Sequence, residues 1–231
     1  MIPKIFHQSS KYFTWAERRL ARRAQALMPE WAYRTWTDED NLALVKKIFP
    51  SNVKDYVRFP HGGSKVDIAR YLYMYQYGGI YFDTDFRFFR AIEDDLLSNH
   101  CILGVEEEYD PYVSGGPKLG NSFIGSIPGL TLWTEFVDSI FTRFRKGDIH
   151  PDAVFLSGPH ALTAFLRSHN YEKLVTILPR NTLYPPLIKF NLTGLREPET
   201  IGVHLCWSTW RDRSLPVKVR NGTRRILSAL L

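Results

Sequence analysis

An α/β fold around a mainly parallel sheet is the class this sequence predicts, and three observations predict it. Strand-like and helix-like segments alternate along the chain. The helical segments start at capping residues and stop at Pro or Gly. The short apolar run Ile80-Tyr81-Phe82 is bounded by Gly78-Gly79 and Asp83, as expected of a buried strand whose carboxyl end carries polar residues.

Each element follows from local chemistry. Ile2-Pro3-Lys4-Ile5-Phe6 opens as a strand, and the spacing of Trp15, Leu20, Ala24 and Leu27 predicts a helix from about Thr14 to Met28, closed by Pro29. A short strand near Tyr33 to Trp36 follows. Thr37-Asp38-Glu39-Asp40 then caps a helix that runs to Phe49 and stops at Pro50. Ser64 is expected to N-cap a helix over about 65–77 that ends at Gly78-Gly79 and feeds the strand 80–82. A polar, Gly-rich loop is expected from about Glu106 to Gly120. Helices near 130–144 and 160–169, then strands near 175–178 and 201–206, complete the pattern.

Length and composition exclude several classes. The 231 residues allow one sizeable domain, and 44% hydrophobic, 14% aromatic and 23% charged residues exclude disorder, collagen-like repetition and a coiled coil. Six basic residues (Arg211, Arg213, Lys218, Arg220, Arg224, Arg225) and one acid (Asp212) lie in the last 21 positions, so the tail carries +5 of the net +6. The body is nearly neutral, which argues against a nucleic-acid binder. Arg224 and Arg225 adjoin Ile226, Leu227, Ala229, Leu230 and Leu231, a basic amphipathic pattern suited to an anionic membrane surface or to a solvated terminus. No run approaches the roughly 18 apolar residues of a membrane span, and the N-terminus has no signal-peptide core. The expectation is a cytoplasmic protein, peripheral on the inner face of the membrane if the tail binds lipid. Cys101 and Cys206 supply no disulfide framework, and the acceptor patterns at Asn191 and Asn221 carry no weight without a secretory route.

The chemistry concentrates at Asp83-Thr84-Asp85. Two carboxylates at i and i+2 of an extended segment point to one side, where they share a hard cation with phosphate oxygens, and water, a diphosphate and one further protein group fill the remaining positions. Acidic pairs after strands are also common turn residues. Asp67 and Arg70, three apart, share a helix face; Asp67 also stands three residues after Ser64, the spacing of a capping box. Glu106-Glu107-Glu108 reads as a solvated acidic run rather than a glycosidase pair.

The run Ser64-Lys65-Val66-Asp67-Ile68-Ala69-Arg70-Tyr71-Leu72-Tyr73-Met74-Tyr75-Gln76-Tyr77-Gly78-Gly79-Ile80-Tyr81-Phe82-Asp83-Thr84-Asp85 resembles the signature of the DxD-containing sugar-transferase family, which includes yeast-type initiating α-mannosyltransferases, α-1,4-galactosyltransferases and bacterial polysaccharide enzymes and is similar to the catalytic core of clostridial glucosylating toxins. Ile2 to Gln8, Trp31 to Asp38, Asn121 to Gly129, Gly158 to Thr163 and His204 to Trp210 agree in order, so the likeness covers about residues 1–210 and leaves 211–231 as a basic C-terminal tail.

The resemblance implies a GT-A (Rossmann-like) domain that transfers a hexose, with retention, from a UDP- or GDP-linked donor to a glycan, glycolipid or polysaccharide acceptor. Carried over by position, Asp85 coordinates Mn²⁺ or Mg²⁺ directly, Asp83 contacts ribose and sugar and holds the metal through water, and His204 completes the metal shell. Asp67 and Arg70 hold hydroxyls of the transferred sugar, His7 and Gln8 contact the nucleoside, Asn121 faces sugar or acceptor, and Trp207 with Trp210 closes over the diphosphate. A protein-modifying, toxin-like transferase and an inactive nucleotide-sugar-binding homologue are the alternatives. Donor identity, acceptor and oligomeric state are not legible in the sequence.

Overall fold

The computed structural model describes residues 1–113, 116–148, 150, 152–187, 196–207 and 227. The strands are β1 (Ile5–Ser9), β2 (Ala32–Trp36), β3 (Gly79–Phe82), β4 (Phe86–Phe88), β5 (Cys101–Glu107), β6 (Lys118–Leu119), β7 (Phe123–Ser126), β8 (Thr176–Leu178) and β9 (Gly202–His204). The α-helices are α1 (Trp15–Leu27), α2 (Asp38–Ile48), α3 (Val53–Arg58), α4 (Gly62–Tyr77), α5 (Leu132–Arg145), α6 (Ala153–Leu156), α7 (Pro159–Ser168) and α8 (Arg180–Leu183).

One sheet has the order β2-β1-β3-β7-β5-β6, with β8 also paired to β5, and β4 with β9 forms a separate two-stranded sheet. β1 pairs in parallel with both β2 and β3; β7 is antiparallel to β3 and to β5; β8 is parallel to β5, and β6 antiparallel to it. Five of the seven strands (β1, β2, β3, β5, β8) therefore point the same way and two (β6, β7) oppose them. This is an α/β sheet with mainly parallel strand directions.

The two-residue alternation of the strands divides the apolar residues between the faces. Tyr81, Cys101, Leu103 and Val105 pack with α4, α5 and α7, alongside Leu72, Trp133, Phe136 and Leu162. Ile80, Phe82, Ile102 and Phe123 point the other way, where they meet Phe6, Phe86, Phe88, Ala24 and Met28. Both faces are covered, so strands read as apolar runs.

Helix starts follow their capping chemistry. Thr14 with Glu17 and Thr37 with Asp40 each form a reciprocal capping box, so α1 and α2 begin where the sequence predicts. The expectation for Ser64 is corrected. α4 starts at Gly62, with His61 as N-cap and no side-chain cap bond, so Ser64 lies inside the first turn and its buried hydroxyl has no partner among the described residues. Asp67 therefore has no capping-box role. The helix stops where expected: Gly78 (φ 63°) and Gly79 (φ 94°) turn it into β3, and a Cβ at Gly79 would meet the Ile5 carbonyl oxygen at 2.5 Å.

The expected loop 106–120 is shorter than predicted. β5 continues through Glu106 and Glu107, and Lys118, which opens β6, bonds Glu107 at 2.7 Å and reaches Glu106 at 3.4 Å. The pairing makes that acidic run part of a sheet edge rather than a solvated loop. Trp210, Asn191, Asn221 and the basic tail lie outside the described residues, except for exposed Leu227. Among the described residues, no helix is long and apolar enough to cross a membrane.

Candidate active site

β3 ends at Phe82, and Asp83-Thr84-Asp85 forms a turn closed by a 2.9 Å bond from the Phe86 amide to the Asp83 carbonyl. The motif is thus a turn rather than the extended segment the sequence suggests. It still aims both carboxylates at one point, because β4 immediately pairs with β9 and places His204 opposite Phe86. His204 Nε2 lies 3.2 Å from Asp85 Oδ1 and 3.7 Å from Asp83 Oδ2. One ligand atom from each of Asp83, Asp85 and His204 lies within 4.8 Å of the other two. Two carboxylate oxygens and an imidazole nitrogen are a donor set that suits Mn²⁺, and Mg²⁺ less well, so the residues fit the metal the motif implies.

Long-range bonds lock this triangle. Asp85 Oδ2 accepts the Trp207 amide at 2.7 Å, and the Asp85 carbonyl accepts the Leu205 amide at 3.0 Å. Burial works against the Asp85 charge, but His204 and the Trp207 amide outweigh it and hold its carboxyl below the ordinary range. Burial likewise disfavours protonated His204, and Asp85 overcomes this and holds the imidazole well above its ordinary value. Thr84, between Asp83 and Asp85, donates at 2.9 Å to Glu17, whose other oxygen caps α1 through Thr14. The sequence reading passed over Glu17, although Thr14-x-x-Glu17 has capping-box spacing.

Beside the triangle stands a buried polar cluster. The Arg70 guanidinium lies 3.1 Å from Asp83 Oδ1 and 3.2 Å from Asp67 Oδ1, donates to the Asn121 carbonyl at 2.7 Å, and covers the Tyr81 ring at 4.5 Å. Asp67 also accepts from Asn121 Nδ2 at 3.0 Å and Ser157 Oγ at 2.8 Å, while Tyr81 donates to Asp83 at 2.7 Å. Burial raises the Asp67 carboxyl, against the pull of Arg70 and Ser157. Asp67, Arg70, Asp83 and Asn121 are thus brought together. Tyr81, Tyr71 and Ser157, to which the sequence assigns no site role, complete the cluster; Ser157 is 90 positions from Asp67 and carries no local signal.

His7 and Gln8, expected to contact a nucleoside through backbone and side chains, have buried side chains. The His7 ring is fully buried, stacked among Trp36, Tyr73 and Tyr77. Its Nδ1 accepts from Trp36 Nε1 at 3.1 Å and its Nε2 donates to the Gly78 carbonyl at 2.9 Å, so only its backbone remains to face a ligand. Gln8 is buried too; its amide donates to the Asp83 carbonyl at 3.2 Å and its oxygen accepts from Tyr33. Its side chain steadies the motif from behind. Trp207 is 3% exposed and meets the site through its backbone amide.

Burial lowers the His7 pKa to about 4, despite the opposing bond to Gly78. Above pH 6.5 folded and unfolded chains both hold it neutral, so its contribution to stability is complete. As pH falls from 6.5 toward 4, only the unfolded chain gains the proton, and stability drops by up to about 3 kcal/mol. Urea unfolding between pH 7.5 and 4.5 should show this loss in the wild type and a shallower one in His7→Phe; parallel pH profiles would refute it.

A cleft of about 530 Å³ lies between α1 and β2 at the end of β1, lined by Lys11, Tyr12, Arg18, Arg22, Tyr33 and Trp36 among others. It contains none of Asp83, Asp85 and His204, and the bond between Tyr33 and Gln8 connects its wall to Asp83.

Comparison with known proteins agrees with this geometry. Residues 16–103 match the family described as "Glycosyltransferase sugar-binding region containing DXD motif". The chain is 34% identical over 86 residues to inositol phosphoceramide mannosyltransferase 3 of Schizosaccharomyces pombe, covering 36% of this chain and 24% of that protein. It is 32% identical over 142 residues to mannosyl phosphorylinositol ceramide synthase CSH1 of Saccharomyces cerevisiae, covering 61% of this chain and 35% of that protein. The matched segment thus spans about a quarter to a third of these relatives. Among solved structures, the galactosyltransferase LgtC bound to donor and acceptor sugar analogues superposes with a TM-score of 0.55 at 12% identity, covering 97% of this chain and 95% of that one. The UDP-bound glycosyltransferase domain of the YGT toxin gives 0.51 at 9% identity, covering 76% and 79%. The motif, its buried partners and these likenesses agree: residues 16–103 match the DXD-containing sugar-binding region of glycosyltransferases, and the fold is that of the GT-A glycosyltransferases.

Proposed function

We propose that this chain is a metal-dependent, retaining glycosyltransferase that moves a hexose from a UDP- or GDP-linked donor to a hydroxyl of a glycan or glycolipid. The observation that carries the reading is the convergence of Asp83, Asp85 and His204 beside the buried Arg70–Asp67 pair. The names of the yeast relatives favour mannose as the sugar and an inositol phosphoceramide as the acceptor class.

The chemistry that a bound Mn²⁺ or Mg²⁺ supplies is Lewis-acid neutralisation of the charge developing on the leaving diphosphate. Asp83, Asp85 and His204 would hold it. Arg70, charged at all relevant pH and fixed by two carboxylates, orients Asp83 and Asp67 toward the hydroxyls of the donor sugar. The Lys11, Arg18 and Arg22 side of the cleft accommodates the nucleotide. In the retaining step the acceptor oxygen bonds to the anomeric carbon on the face from which the diphosphate departs, the bond from that carbon to the phosphate oxygen breaks, and the acceptor proton passes to the diphosphate. The family resemblance supports this stereochemistry.

Ligand binding to the folded state raises its melting temperature by mass action. Thermal unfolding with UDP, GDP or CMP, each with Mn²⁺, Mg²⁺ or chelator, should show a metal-dependent rise for one nucleotide. No rise with any of the nine combinations would refute nucleotide binding and, with it, the donor assignment.

A further inference from the structure

A second polar centre lies on the loop between β5 and β6. Asp110 is buried, with its side chain fully enclosed, and its Oδ2 is 2.8 Å from His160 Nδ1 in the first turn of α7. Its other oxygen accepts the Tyr112 amide at 3.0 Å. With Nδ1 committed to the carboxylate, Nε2 is the ring atom left for a hydroxyl partner, and it has no partner among the described residues. Phe155 stacks on the His160 ring at 4.4 Å and fixes its plane. Tyr112 meets both rings edge-on, at 4.9 and 5.1 Å, yet remains 70% exposed.

This assembly is tied to α7 and to the Asp67 cluster. Arg167 of α7 donates to the Val113 and Pro117 carbonyls at 3.2 and 2.6 Å. Three residues before His160, Ser157 donates to Asp67, which the Arg70 guanidinium connects to Asp83. An oriented imidazole beside an exposed aromatic ring is suited to a polyhydroxylated six-membered ring, whose C–H face packs on the aromatic and whose hydroxyl bonds the nitrogen.

The geometry points to Tyr112 and His160 as the acceptor subsite, with Asp110 as the residue that positions His160 and a hexose or inositol ring as the occupant. The inference rests on the transferase reading for its catalytic meaning, but the binding it asserts is measurable alone.

Two arms test it on the whole chain. Saturation-transfer NMR with myo-inositol, methyl α-mannoside and methyl α-galactoside should give a signal that Tyr112→Ala abolishes and Tyr112→Phe retains. Signal from myo-inositol alone identifies a headgroup ring, and signal from a hexoside identifies a glycan end. In turnover with the same compounds as acceptors, Tyr112→Ala and His160→Gln should each raise the acceptor KM about five- to tenfold, the size of one lost contact. Hydrolysis of the donor by water and the metal-dependent nucleotide shift should not change. Because Tyr112 is exposed, its variant serves even if His160→Gln folds poorly. Silence of all three probes by NMR, or an acceptor KM unmoved by Tyr112→Ala, overturns the subsite. A wild type with a positive NMR signal but neither hydrolysis nor nucleotide shift instead sinks the transferase reading and leaves a ring-binding site.

Discussion

An Asp85→Asn chain folds like the wild type and loses sugar transfer by about a thousandfold or more. The size follows from the several kcal/mol of charge stabilisation a metal site supplies at a leaving diphosphate, at 1.36 kcal/mol per factor of ten. The fold survives because the asparagine carbonyl can still accept the Trp207 amide that now bonds Asp85 Oδ2 at 2.7 Å. Circular dichroism and urea midpoints check the fold; transfer rates and the Mn²⁺-dependent melting shift with the preferred nucleotide check the site. A variant that keeps full activity, or keeps the metal-dependent shift, removes Asp85 from the metal centre.

Arg70→Ala costs about 3–5 kcal/mol of stability, the penalty for leaving a buried charge without its partner. The guanidinium is the cation that reaches both Asp67 and Asp83, and it also satisfies the Asn121 carbonyl. Arg70→Lys keeps the charge but loses the planar fork, so it should recover part of the stability and little of the activity. Equilibrium urea unfolding reads the first effect and acceptor-saturated turnover the second. An alanine variant within about 1 kcal/mol of the wild type would show that the cluster contributes little to holding the fold together.

The parts legible in sequence share one property: their signals are local. α4 and β3 announce themselves through Gly78-Gly79, because only glycine tolerates those backbone angles so near the Ile5 carbonyl. α1 and α2 carry capping boxes within four residues. β5 and β7 escaped notice for the opposite reason: Gly104 and the acids of β5, and the Gly, Ser and Pro surrounding Phe123–Ser126, mimic loop composition, while pairing decides their conformation. The same holds at the site. Asp83 and Asp85 are two positions apart in the chain and readable as a motif, whereas the bond from Ser157 to Asp67, the pairing of Asp110 with His160 fifty positions on, and the burial of His7 under Trp36 and Tyr73 are products of tertiary packing. His7 shows the cost of reading position alone: the end of β1 is where a ligand-facing residue is expected, yet this ring faces a stack of aromatics.

The pairing of β9 with β4, apart from the seven-stranded sheet, hangs the His204 corner of the candidate site on a short ladder of its own. β9 is held by its ladder with β4, by the bonds of the Ile201 amide to the Thr182 carbonyl and of the Trp207 amide to Asp85, and by the small cluster of Ala16, Leu20, Val203, Leu205 and Trp207. β9 can therefore detach while the main sheet stays intact, and its amides should exchange with solvent at lower free energy than those of β1 and β3. A ligand that needs His204 and Asp85 together would slow that exchange, so occupancy of the site and protection of β9 would report the same equilibrium.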